Sequence, residues 1–281
     1  MTTTTPSEPA GQSGSTIVRS NVRARPSGFF SDLFTVAGRA LRSIPREPES
    51  FIPALFIPAF FFIVNVGALE DLTEAFPVTE GFSYREFQLP TAIIFAVTGI
   101  SRAPGLVTDI QAGYFDRLLL SPARRLPLLL GLMVADFALV VFLCIPVVIL
   151  GLFAGVSFGT GPIGLILFIL IGALWGLAFT GFPYAIALKT ANPGAVASSF
   201  ILFFPFAFLT SSTVPLENLT PWMANIARFN PITYVLEGQR SLLEDNFDFA
   251  DIGASLLAIG ILGTISQTMA LKALRGRVDR G

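Results

Sequence analysis

The sequence predicts an all-α membrane protein with six transmembrane helices, an N-terminal interfacial amphipathic helix and a short external re-entrant helical hairpin between spans five and six. Three observations predict it: composition, the lengths of the apolar runs, and the side on which the positive charges fall. Of 281 residues, 53% are hydrophobic and only 13% charged, with a mean hydropathy of +0.70. Soluble domains of this length are far less apolar.

Residues 1–26 are rich in Thr, Ser, Pro and Gly and hold almost no large apolar side chains. Such a segment buries too little surface to offset its ordering entropy, so it is predicted as a disordered tail. It lacks the apolar run of a secretory signal, and Arg19, Arg23 and Arg25 would resist export. The transmembrane domain is expected over 27–281. It opens with Phe29, Phe30, Leu33, Phe34, Ala37 and Leu41 at helical spacing, with Asp32, Arg39 and Arg42 elsewhere. This describes an amphipathic helix over 27–45, capped by Ser27 and lying in the membrane interface with its phenylalanines sunk. Packing on a soluble partner is the other use for such a helix.

The first span, 51–69, is long enough to cross about 30 Å of hydrocarbon at about 1.5 Å per residue, with Pro53 and Pro58 bending its first half. Glu70, Asp71, Glu74, Glu80 and Glu86 follow against a single Arg85, the composition of an exported loop. Further spans are expected over 88–107, weaker and interrupted by Arg102, then 126–154, 162–188, 195–213 and 252–274. Between the last two, 214–250 is too apolar for an ordinary loop and too broken by Pro215, Pro221 and Pro231 for one spanning helix. Two short helices dipping into the outer interface fit it, with Trp222 and Tyr234 at that depth. In span six, Ser255, Gly260, Gly263, Thr264 and Ser266 permit close helix approach.

Six spans place both ends on one side. Fifteen of the 18 Lys and Arg residues fall on the presumed inside, and only Arg85, Arg228 and Arg240 outside. The positive-inside rule therefore puts both termini in the cytoplasm of a multi-pass protein of the plasma (inner) membrane.

The chain has no His and a lone Cys144. That removes disulfide frameworks, Cys/His metal sites and nucleophile–His arrangements, so no catalytic residue is assigned and no metal ligand is expected. No nucleic-acid face is visible. There is also no glycine-rich loop ending in Gly-Lys-Ser/Thr: Lys189 follows Leu188, and Lys272 precedes Ala273. The chain has no phosphate cradle of its own, and any ATP energy must come from a partner.

The interfacial helix and six spans come with a Gly-x-x-Asp-Arg-x-x-x-x-Pro segment between spans two and three (Gly113, Asp116, Arg117, Pro122) and Phe-Asn-Pro-Ile-Thr-Tyr near the end (Phe229 to Tyr234). This arrangement resembles the type-2 ABC exporter permease family, in particular its daunorubicin-resistance-like branch, from Phe29 to Arg277. The resemblance implies a permease subunit of an ATP-driven exporter. It would dimerise with a second copy or a similar permease, sit among membrane lipids, and dock on a nucleotide-binding ATPase subunit that carries the ATP and Mg. Its cargo would be a hydrophobic or amphiphilic compound: drug, lipid or glycolipid. It also implies that the segment after span two, 109–125, is the coupling helix contacting the ATPase.

The residues agree with such a role. Tyr114, Phe115, Leu118, Leu119 and Leu120 give a polar-flanked segment an apolar surface suited to a partner's groove, with Asp116 and Arg117 to fix orientation. Packing under the protein's own helices is the alternative use of the same side chains. A second, smaller contact is expected from Lys189 to Pro193. Arg102 and Asp136 are the ionisable residues nearest the bilayer interior, where unpaired charge is costly. They either pair with each other or sit separately near the inner surface, Arg102 snorkelling to the headgroups.

Phenylalanines crowd spans one and five. In the family these spans line the cargo path and the dimer interface, which assigns Phe56, Phe60, Asn65, Phe200, Phe204 and the Pro205 kink to that wall, although lipid-facing bulk is the ordinary use of membrane phenylalanines. Glu237 and Arg240, at helical spacing in the outer segment, read as a surface ion pair of little energetic weight. An ATP-independent carrier or channel is the alternative class. It needs an ionisable path through the bilayer, for which Arg102 and Asp136 are sparse.

Overall fold

Every regular element among the described residues is helical, as hydrocarbon demands of any segment that must satisfy its own backbone hydrogen bonds. The computed structural model describes residues 28–43, 48–75, 83–120, 125–245 and 247–278; the tail over 1–26 lies outside them. In chain order the helices are α1 (Phe29–Ser43), α2 (Pro48–Ala75), α3 (Tyr84–Thr98), α4 (Ala103–Gln111), α5 (Tyr114–Leu120), α6 (Arg125–Phe153), α7 (Gly161–Thr190), α8 (Pro193–Phe208), α9 (Pro221–Phe229), α10 (Pro231–Arg240) and α11 (Phe249–Val278).

Five stretches among the described residues are long and apolar enough to cross a membrane: Ile52–Glu70, Tyr84–Gln111, Pro127–Phe153, Gly161–Thr190 and Phe249–Arg277. The span expected over 195–213 is shorter than its apolar run. Helix α8 has 16 residues, a length of about 24 Å at about 1.5 Å per residue. Beyond its end the chain is held by other helices, the carbonyls of Ser211 and Ser212 accepting from Arg240 at 2.7 Å and from Thr91 at 3.0 Å.

The second span is likewise not one helix over 88–107. Residues 99–102 break it into α3 and α4, and the coupling segment expected as one helix over 109–125 divides too. Asp109 belongs to the end of α4, Gly113 turns the chain with a left-handed φ of 67°, and α5 begins at Tyr114. Without a Cβ, glycine takes that conformation at no steric cost.

Helix α7 is the axis of the bundle, packed against α11, α6, α3, α4, α8 and α10. Phe168, Trp175 and Tyr184 are fully buried along it. Gly181 lets α11 approach so closely that a Cβ there would strike the backbone of Ser266, whose hydroxyl donates to the Ala178 carbonyl. The small residues of α11 serve packing only in part: Ser255 and Ser266 are buried, while Gly260 faces open space.

Helix α1 rests on α6. Ala37 and Ala40 are buried there, while Phe30 and Phe34 point away and are exposed. The contact needs Gly131, since a Cβ would stand 2.8 Å from Val36 Cβ and 2.9 Å from the Leu33 carbonyl oxygen. Gly131→Val is therefore expected to destabilise the protein by about 1–3 kcal/mol through overpacking. Thermal unfolding in detergent checks this, with Gly260→Val, which meets no neighbour, as the neutral control.

Candidate functional site

At the end of the bundle where α5 lies, five helices are joined by polar contacts around the turn at Gly113. The Arg39 guanidinium on α1 bonds Asp109 of α4 at 2.6 Å and covers the Tyr114 ring at 4.7 Å. Arg277, in the last turn of α11, holds the Asp116 carboxylate with two parallel bonds of 3.0 Å, from Nε and Nη2. Its Nη1 also reaches the Leu188 carbonyl near the end of α7, at 3.5 Å. Gln111 donates to the carbonyl of Ala191 at 2.9 Å. Helix α5 is thus tied to the last turn of α11, and the flanking end of α4 to α1 and to the turn after α7.

That turn contains the second expected contact. Ala191 takes a left-handed φ of 48°, and Asn192 caps α8 by accepting from the amides of Gly194 and Ala195. Lys189 and Pro193 are exposed on either side of it. The structure therefore brings the two separate sequence segments together, through Gln111.

The segment's own residues divide. Tyr114 and Arg117 are exposed, and Gly113, Asp116 and Leu118 are half-buried. Phe115 is buried, in the cluster of α4, α6, α7 and α11 side chains beneath α5. The sequence expectation that Phe115 faces a partner is corrected: at 3% exposure its ring anchors α5 to the bundle. Pro122 lies outside the described residues.

Above this end, Arg102 and Asp136 do meet, through the backbone amide of Arg102. That N–H donates to Asp136 Oδ1 at 2.8 Å, at the break between α3 and α4. The second carboxylate oxygen accepts from the Tyr184 hydroxyl at 2.6 Å. Asp136 is wholly buried, so the backbone freed by the break is satisfied by α6 and steadied by α7. Trp175 adds a bond from its indole N–H to Thr98 at 2.9 Å, at the last residue of α3. Tyr184 was absent from the sequence candidates; a lone hydroxyl deep in an apolar run was the available signal. Tyr184→Phe leaves a buried carboxylate oxygen without its donor and is expected to cost about 1–3 kcal/mol. Thermal unfolding of the purified variant measures it.

The phenylalanine wall has a centre that sequence reasoning missed. Phe95 of α3 contacts Phe61 of α2 at 6.4 Å and Phe203, Phe204 and Phe208 of α8 at 6.0, 6.0 and 5.6 Å between ring centroids. Phe56 and Phe60 stack on each other at 6.0 Å and are exposed, as are Phe204 and Pro205. Phe200 is half-buried against Phe179, and Asn65 is half-buried.

Residues 31–243 match the ABC-2 type transporter family. The chain belongs to this family. Similar proteins include the daunorubicin resistance ABC transporter permease protein DrrB1 of Streptomyces coeruleorubidus, 24% identical over 269 residues, covering 93% of this chain and 92% of the relative. A putative transport permease, ycf38, of Cyanophora paradoxa is 25% identical over 267 residues, covering 88% and 90%. The probable doxorubicin resistance ABC transporter permease protein DrrC of Mycobacterium tuberculosis strain H37Rv is 22% identical over 213 residues, covering 75% and 76%.

In this ABC-2 type chain the Phe-Asn-Pro-Ile-Thr-Tyr segment has a structural job at the opposite end. Asn230 caps α10 by accepting from the Ile232 amide at 3.0 Å, and its Nδ2 donates to the carbonyls of Phe206 and Leu209 at 2.6 and 3.1 Å. The same end corrects the reading of Glu237 and Arg240 as a surface pair. Arg240 is buried: it donates to Glu237, to the Ser211 hydroxyl and carbonyl and to the Phe87 carbonyl, and lies 3.5 Å over the Phe87 ring. Burial lowers its pKa to about 10, so it stays charged at neutral pH.

Proposed function

We propose that this chain is the permease subunit of an ATP-driven exporter that moves a hydrophobic or amphiphilic compound outward across the plasma membrane. ATP and magnesium are bound and hydrolysed by a separate subunit, and no bond is made or broken here. The observation that carries the reading is the α5 end: a short helix with Tyr114 and Arg117 exposed, tied to α11 by a paired ion bridge and flanked by α1 and α7. A push on α5 reaches the long helices through Arg277, while α4 carries it to the break at Asp136. The resistance-associated names of relatives support a drug or lipid-like cargo.

The charge asymmetry supports placing the α5 end and both termini in the cytoplasm, with α9 and α10 outside. The exposed faces of α2 and α8, bearing Phe56, Phe60 and Phe204, suit a second permease copy lining a cargo path. A carrier or channel finds less support, because Asp136 and Arg240 are the buried charged groups among the described residues and both are engaged in structural bonds.

Co-expression with a nucleotide-binding ATPase subunit of an ABC transporter tests the reading. The expected result is a stable complex from detergent whose ATP hydrolysis rises with apolar amphiphiles; a permease that purifies alone and moves cargo without ATP overturns it.

A further inference from the structure

Between α6, α7 and α11 lies an open-sided cavity of about 640 Å³, to which α1 contributes Leu33. Met133, Phe137, Leu174, Ile259 and Leu271 give it hydrocarbon walls. Among the described residues, Thr264 and Gln267 are the polar side chains that line it, and both are turned to the protein's own backbone. Thr264 donates to the Gly260 carbonyl at 2.7 Å and Gln267 to the Leu177 carbonyl at 2.8 Å, while Gln267 Oε1 is sealed from the cavity. Such a lining has little to offer a polar guest and suits an apolar chain.

The position of the cavity defines the other end of the guest. On α11 the lining runs from Ile259, near the middle of the Phe249–Arg277 stretch, to Leu271, toward the α5 end. At about 1.5 Å per residue this is about 18 Å, close to the roughly 15 Å of hydrocarbon in one leaflet. Lys272 follows directly, and Arg275 lies one turn beyond Leu271 on the same face. Both are exposed, and neither makes an ion pair or hydrogen bond among the described residues. We propose that the cavity is a binding site for one phospholipid of the leaflet on the α5 side, selective for an anionic headgroup. An acyl chain fills the cavity, and the headgroup meets Lys272 and Arg275, which attract negative charge at the membrane surface. The bound lipid joins α1 to α11, the two helices whose Arg39 and Arg277 hold Asp109 and Asp116.

The test is native mass spectrometry of the full-length chain, delipidated in detergent and titrated with palmitoyl-oleoyl phosphatidylglycerol or with the phosphatidylcholine of the same chains. The first phosphatidylglycerol per chain is expected to bind about tenfold more tightly than the first phosphatidylcholine. Lys272→Gln combined with Arg275→Gln should bring the two lipids within about twofold of each other. Gly260→Phe, which sends a ring into the cavity from a position where a Cβ meets open space, should weaken the first binding of both lipids by about tenfold with the unfolding temperature unchanged. The charge variant alters exposed side chains alone, so it decides the matter even where the filled variant fails to fold. Equal affinities in the unaltered protein overturn the proposal, as does a tenfold preference that survives the loss of both cations. A folded Gly260→Phe that holds phosphatidylglycerol as tightly as the parent also overturns it, since the headgroup is then bound without a chain in the cavity. None of these outcomes touches the transport reading, which stands or falls on association with the ATPase.

Discussion

Arg240→Ala is expected to destabilise the protein by about 3 kcal/mol. Removing one member of a buried ion pair costs about 3–5 kcal/mol when the partner is left uncompensated. The lower end applies because the Glu237 side chain is 37% exposed and recovers some solvation. The loss is not electrostatic alone. The carbonyls of Phe87 and Ser211 lose donors, the Phe87 ring loses its cation, and α10 loses its links to α3 and to the end of α8. Arg240→Lys should recover part of the stability, since an ammonium keeps the charge but cannot reproduce the forked contacts. Chemical denaturation in detergent reads both. An alanine variant within about 0.5 kcal/mol of the parent, the ordinary range for surface substitutions, would show that the guanidinium is dispensable.

The second large effect falls on coupling rather than stability. The Asp116 side chain is 49% exposed, so its bridge to Arg277 contributes no more than about 1 kcal/mol even with paired geometry. Asp116→Arg removes that attraction and sets two cations against each other. A shift approaching 1.5–2 kcal/mol in the position of α5 follows, enough for a tenfold or greater fall in cargo moved per ATP hydrolysed. Unfolding temperature should fall by only about 2–6 °C, because Phe115 still anchors α5 from below. The exchanged pair Asp116→Arg with Arg277→Asp should restore most of the coupling. Transport lost equally in the single and exchanged variants would mean that Asp116 matters for another reason.

Composition and the lengths of the apolar runs carried the all-helical, multi-pass architecture, because long apolar runs respond to the membrane alone. Local breaks were not legible. Residues 99–102 look like the fading end of a span, and only the buried carboxylate of Asp136, 34 positions away, reveals that they are an interior joint. The same limit explains Arg240: a charged residue in a proline-broken segment between apolar runs reads as solvent-facing unless its partners on α3 and at the end of α8 are known. Within 109–125 the sequence pattern marked an apolar surface but not its direction, so Phe115 and Tyr114 looked alike. Gly113 and the Arg39, Gln111 and Arg277 contacts fix the rotation of α5, turning Phe115 inward and Tyr114 outward.

The central claim is that α5 presents its outer face to a separate ATPase. A photo-crosslinking p-benzoylphenylalanine placed at Tyr114, in the complex formed by co-expression, tests it most directly, with the same group at Trp222 as a control. Trp222 is exposed on α9, at the other end of the bundle. The expected result is a covalent adduct between position 114 and the ATPase subunit, in a yield that changes on adding ATP, and none from position 222. Absence of the adduct at 114, or equal yields from both positions, would contradict the account.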